Sequence, residues 1–299
     1  MDNKALKSDL LLLLTAIIWG FAFVAQRAGM EHVGPFTFNA IRFALGSLSL
    51  VPWLYVNRGK SGEKPAPGWT RQTFRAGMIA GGAIFVASSF QQVGIVYTTA
   101  GKAGFITGLY VIFVPVFGIF IRQLTRTNVW VGALLAASGL YFLSIRDDFT
   151  IATGDALVLA SAAFFAIHIL IIGRFSWRMS AIRLSIIQFA ACSLLSLVAA
   201  VFTEEILLAN ILDAAIPILY GGLFSVGIAY TLQVVGQKHA HPSAASIILS
   251  MESLFAVLGG WMLLGETLTA RGWLGCGLML AGMILAQLRF KAGRKPVPE

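Results

Sequence analysis

Residues Ala100–Ile145 read AGKAGFITGLYVIFVPVFGIFIRQLTRTNVWVGALLAASGLYFLSI, and residues Ser243–Leu288 read SAASIILSMESLFAVLGGWMLLGETLTARGWLGCGLMLAGMILAQL. Laid over each other without a gap, 143 positions apart, Trp130 meets Trp273, Gly132 meets Gly275, Leu135 meets Leu278 and Gly139 meets Gly282. Small residues coincide as well, with Ala100, Ala103 and Thr107 over Ser243, Ser246 and Ser250. Matched Trp and Gly are harder to obtain from hydrophobic bias than Leu on Leu, so the two stretches read as copies. Working outward, a shift of 146 places Asp9 over Asp155, Phe43 over Phe189, Ser47 over Ser193 and Leu48 over Leu194. A shift of 140 pairs Gly81 and Gly82 with Gly221 and Gly222. The chain therefore divides into residues 1–146, a second copy at 147–290, and a basic tail at 291–299.

The medium in which these copies fold follows from composition. Of 299 residues, 58% are hydrophobic and 12% charged, with a mean hydropathy of +0.81. A soluble domain does not carry so little charge, whereas a bilayer-spanning helix needs about 20 apolar residues. Apolar runs fall near 10–28, 36–57, 76–97, 100–121, 128–145, 153–172, 184–203, 214–237, 243–265 and 270–288. They are too long for barrel strands, and a backbone facing lipid must satisfy its own hydrogen bonds, so ten transmembrane helices in an all-α integral membrane protein are expected. Lys4 and Lys7 precede the first run as in a signal peptide, but nine further runs mark it as an uncleaved first helix.

If both ends face the cytoplasm, seventeen of the 22 Lys and Arg residues fall on the inner side, four fall outside, and Arg42 lies within a span. That asymmetry sets the orientation. Each copy holds five spans, an odd number, so the second must thread the membrane in the opposite sense to the first. Inverted repeats of this kind characterise secondary transporters, which bind solute near the midplane. The formal charge of +9 would suit nucleic acid only if it gathered on one soluble face, so no nucleic-acid partner is expected. Cys192 and Cys276 lie far apart in apolar runs, without the spacing of a zinc site or a disulfide framework. The polar stretch Asn57–Gln72 and the tail Lys291–Glu299 read as cytoplasmic anchors attracted to anionic lipid.

The run SMESLFAVLGGWMLLGE, Ser250–Glu266, with the TLTARGWLGCGLMLAGMIL that follows it, resembles the closing helix pair of an EamA-type repeat in the drug/metabolite transporter superfamily. TTAGKAGFITGLYVIFVP, Thr98–Pro115, and AIIWGFAFV, Ala16–Val24, are similar to elements of the other copy. The resemblance covers nearly the whole chain. It implies a ten-helix exporter or facilitator of small metabolites, often amino acids, with both ends cytoplasmic. One departure stands out: Ser253 occupies a place where family members often carry Pro, which removes the usual cause of a kink there.

Glu252 is the sharpest candidate for substrate binding. It sits about ten residues, roughly 15 Å, into the ninth span, where a carboxylate must be protonated, paired or facing water. It could accept a substrate amine, carry a proton, or serve as a packing carboxyl between helices. Arg42 and Lys102 enter their spans from the outer side and could hold a substrate carboxylate, although Lys102 could equally snorkel to the headgroups. Gln188 is the repeat counterpart of Arg42. Trp19, Gln91, Gln92, Tyr110, Tyr230 and Gln233 could line an aqueous cavity, and His168 could carry protons. Tyr97 reads as an interface anchor.

No HExxH, GxSxG or phosphate-cradling motif occurs. Neither a cofactor nor a metal is expected. The expected function is alternating-access movement of a small metabolite, an amino acid or related solute, outward across a bacterial-type inner membrane, by a monomer or weak homodimer. The rivals are an intramembrane enzyme, for which Glu252 and His168 are the only nominees, and a nonenzymatic scaffold or channel.

Overall fold

The computed structural model describes residues 3–56, 69–121, 127–144, 153–265, 267 and 269–287. The basic tail, Glu266 and most of the polar stretch Asn57–Gln72 lie outside the described residues. The helices are α1 (Asn3–Gly29), α2 (Pro35–Val56), α3 (Arg71–Val96), α4 (Ala100–Gly108), α5 (Tyr110–Phe120), α6 (Thr127–Ser144), α7 (Thr153–Phe175) and α8 (Ala181–Thr203), followed by short α9 (Leu208–Asp213) and α10 (Ala215–Leu219). A π-helical stretch, Tyr220–Tyr230, leads into α11 (Thr231–Gly236), α12 (Pro242–Leu249), α13 (Glu252–Leu264) and α14 (Ala270–Gln287). No strand occurs among the described residues.

Among the described residues, seven helical segments are long and apolar enough to cross a membrane. Three of them are composite: Ala100–Phe120 joins α4 to α5, Ala215–Gly236 joins α10, the π stretch and α11, and Pro242–Leu264 joins α12 to α13. The other long helices are α2, whose apolar character is diluted by Asn39 and Arg42, and the 18-residue helices α6 and α14. Multi-pass insertion follows from the backbone rule stated above.

The helices pack in pairs that exchange when the two sequence copies are exchanged. α1 lies on α13 as α7 lies on α4 and α5; α3 lies on α7 as the π stretch and α11 lie on α1; α3 lies on α8 as the π stretch lies on α2. α2 with α8, and α6 with α14, map onto themselves. Glycines make the reciprocity visible at atomic scale. A Cβ on Gly139 would stand 2.5 Å from the Gly275 carbonyl, and one on Gly282 would stand 2.5 Å from the Gly132 carbonyl. The matched glycines of the sequence therefore let α6 and α14 approach backbone to backbone, the small-residue packing that helices use in lipid. Gly94 and Gly154 do the same between α3 and α7, each 2.8 Å from the other's carbonyl by this measure.

Two interruptions are related in the same way. The fourth run breaks at Leu109, between α4 and α5, and the ninth at Ser250 and Met251, between α12 and α13. Neither break contains Pro. The second has the tight three-residue hydrogen bond Ser253 N to Ser250 O, 3.1 Å, while Ser253 Oγ donates to the Gly104 carbonyl at 2.7 Å. The break is thus present although Ser253 stands where a Pro would have been its usual cause, with one turn of 3₁₀-like backbone in place of the ring constraint.

The π stretch has no counterpart in α3, which is regular throughout. α1 stitches itself to this wider helix with Thr15 Oγ1 donating to Ala229 O at 3.2 Å and Trp19 Nε1 donating to Ser225 O at 3.1 Å. In return, Tyr220 OH donates to Ile18 O at 3.0 Å. Short π-turns are frequent at functional sites, and this longer π stretch borders the central cavity.

Candidate functional site

The cavity is lined by α1, α2, α3, α4, α5, α7, the π stretch, α11 and α13. Eight residues singled out in the sequence line it: Trp19, Arg42, Gln91, Tyr110, His168, Tyr230, Gln233 and Glu252. Space open to a water-sized body amounts to about 30 Å³, room for about two waters. That space is too small for an amino acid, so a solute of that size enters only when side chains or helices move.

Arg42 is 2% exposed and Glu252 3%. The Arg42 guanidinium lies 5.5 Å from the centre of the Phe38 ring and 5.0 Å from that of Phe43, with Nε donating to Asn39 Oδ1 at 2.9 Å. Asn39 in turn donates to the Ser88 carbonyl at 3.1 Å, tying the assembly to α3. These contacts orient the cation without neutralising it, since cation–π attraction and a neutral amide leave its charge in place. Glu252 opens α13. The Tyr110 hydroxyl faces its carboxyl, but the geometry falls short of a hydrogen bond, and Tyr110 Oη and Glu252 Oε1 are both left without a partner. Among the described residues neither Arg42 nor Glu252 has an ion-pair partner.

Their relative depth can be read along the π stretch. A Cβ on Gly221 would face Arg42, Ser225 receives Trp19, and the Tyr230 ring stands edge-on to His168 with centroids 6.0 Å apart. Glu252 belongs to the level of Trp19, because its backbone carbonyl packs on the neighbouring Gly20. From Arg42 the cavity thus descends to Glu252 and then to His168, with Trp19 and Tyr230 in edge contact at 4.6 Å forming the wall between.

Three candidates take other positions. Gln188 stands behind the cavity, where its Oε1 lies 3.1 Å from His168 Nε2. Gln92 is fully buried and donates to the Gln26 carbonyl at 3.4 Å, joining α3 to α1. Lys102 is partly exposed and pairs with Asp155 at 3.1 Å, beside Thr98 Oγ1, which donates to the same carboxylate at 2.8 Å. This contact fastens the start of α4 to the start of α7, on the side the charge distribution assigns to the outside. Lys102→Met is expected to cost at most about 1 kcal/mol in a thermal melt, an effect that fades as salt rises, as for other part-exposed pairs. Tyr97 is 65% exposed at the end of α3, suiting an interface position. Sequence reasoning missed the cavity residues Phe23, Gln26, Thr107, Phe165, Ile169 and Ser225. Gln26, Thr107 and Ser225 had a signal, polarity within an apolar run; Phe23, Phe165 and Ile169 have none.

A bundle of apolar helices around an internal cavity that a buried arginine and a buried glutamate both line defines a multi-pass membrane protein. The model of the EamA-like transporter family matches twice, over residues 6–145 and 152–288. The chain belongs to the EamA-like transporter family and is a membrane transporter. It is 34% identical over 96% of its length to an "Uncharacterized transporter" of Archaeoglobus fulgidus, covering 87% of that protein. It is 24% identical over 94% of its length to the "Uncharacterized inner membrane transporter YedA" of Escherichia coli K12, covering 91% of that protein. A solved crystal structure shares the fold, with a TM-score of 0.73 at 20% identity over 94% of this chain and 96% of that one.

Proposed function

We propose that the protein is a ten-span secondary carrier made of two inverted five-helix repeats, residues 1–146 and 147–290, with both termini cytoplasmic. It moves a small metabolite, an amino acid or close relative, across a bacterial-type inner membrane by alternating access, in the outward direction. The observation that carries this reading is the pair Arg42 and Glu252: a buried guanidinium and a buried acidic side chain on one cavity with no ion pair between them. Isolated buried charges are costly, so a site that keeps both unpaired is matched to a solute that brings a carboxylate and an ammonium. The pairwise exchange of helix contacts supports two interconvertible halves that open to alternate sides.

A bound solute drives nothing by its affinity alone; it permits exchange between states for which its affinity differs. Flux into or out of proteoliposomes across an amino-acid panel, with and without a pH gradient, tests the reading. A carrier gives flux that saturates with concentration and is inhibited by competing zwitterions. Non-saturating flux would indicate a channel, and product formation an enzyme.

A further inference from the structure

The inner end of the cavity contains acceptors that nothing in the protein satisfies. His168 Nε2 lies 3.1 Å from Gln188 Oε1, and with that oxygen as acceptor Nε2 carries the proton, which leaves Nδ1 with a bare lone pair. Nδ1 has no hydrogen-bond partner, and neither does Gln233 Oε1. Both residues are 1% exposed and both line the cavity. The walls around them are apolar: Phe165, Ile169 and the faces of Trp19 and Tyr230. Two orphaned acceptors at the foot of an apolar-walled space are a costly arrangement, because each buried polar group left unmade is a net loss.

The geometry points to a side-chain subsite in which His168 Nδ1 and Gln233 Oε1 accept hydrogen bonds from a donor at the end of the substrate's side chain. This deepens the amino-acid reading given above and rests on it. Arg42 and Glu252, higher in the cavity, hold the carboxylate and ammonium. The apolar walls clasp the carbon skeleton, and the two acceptors distinguish a side chain ending in O–H or N–H from one of the same shape without it. A site built to hydrogen-bond a terminal group rejects the analogue lacking it far more strongly than an apolar pocket distinguishes two hydrocarbons.

The test is equilibrium binding of three matched pairs to the purified full chain: tyrosine against phenylalanine, glutamine against methionine, and threonine against valine. In at least one pair the donor-bearing member is expected to bind about tenfold or more tighter. In His168→Leu/Gln233→Leu the preference in that pair shrinks to less than about twofold, while affinity for the donor-free member stays within about threefold. Retained binding of the donor-free member also shows that the variant is folded. Equal affinities within every pair in the unmodified protein would overturn the subsite and leave the amino-acid reading standing, as would a preference that survives in the double variant. Absence of binding by all six would overturn both.

Discussion

Glu252→Gln is expected to lower substrate flux at least about 30-fold while leaving the protein as stable as before, or slightly more so. Glu252 is buried and has no cationic partner among the described residues, so its carboxylate contributes little to holding the fold. Gln keeps the size and removes the charge, which relieves a desolvation cost at the mouth of α13. A substrate ammonium placed there loses a charge-assisted contact, and such losses run to about 2–5 kcal/mol, or roughly 30-fold to several thousand-fold. Loss of function with undiminished stability is the pattern of a residue retained for binding rather than for packing. Flux measured in proteoliposomes, beside a thermal melt of the same preparation, separates the two. Unchanged flux would remove Glu252 from the site, and collapsed folding would assign it to helix packing.

The second large effect lies far from the cavity. Gly139→Leu and Gly282→Leu are each expected to destabilise the protein by about 2 kcal/mol, by forcing a side chain into a backbone crossing that has no room for a Cβ. Because the two glycines occupy equivalent places in a reciprocal contact between α6 and α14, their effects should agree within about 0.5 kcal/mol. Once one substitution has pushed the helices apart, the second meets less resistance, so the double variant should cost less than the sum. Thermal unfolding in detergent checks all three values. A large effect at one glycine and none at the other would mean that the crossing lacks the symmetry read from its contacts.

These two cases show what sequence could and could not convey. Gly132, Gly139, Gly275 and Gly282 were visible as matched pairs, and the structure supplies their purpose, since a repeated small residue in an apolar helix has few uses other than close approach. Glu252, Arg42 and His168 were visible because polar groups within an apolar run must be accounted for. The π stretch was not legible: Tyr220–Tyr230 is an ordinary apolar run, and its hydrogen bonds with Thr15, Trp19 and Ile18 come from more than 200 positions away. Nor could sequence place Lys102. Its choice between cavity and surface was decided by Asp155, 53 positions along the chain, a contact that depends on how α4 and α7 meet. Phe165 and Ile169 escaped notice because an apolar side chain against a cavity has the same sequence appearance as one against lipid or core.

The central claim is that two oppositely threaded copies enclose the site, and labelling of single introduced cysteines by a membrane-impermeant thiol reagent in intact cells tests it most directly. Cys192 and Cys276 are both buried, so the native background is low. Three probe positions suffice: position 2, position 148 between the copies, and position 297 in the tail. Labelling of position 148 from outside, with positions 2 and 297 reacting only after the membrane is permeabilised, is the predicted result. Termini on different sides, or a junction on the same side as both ends, would contradict the inverted arrangement.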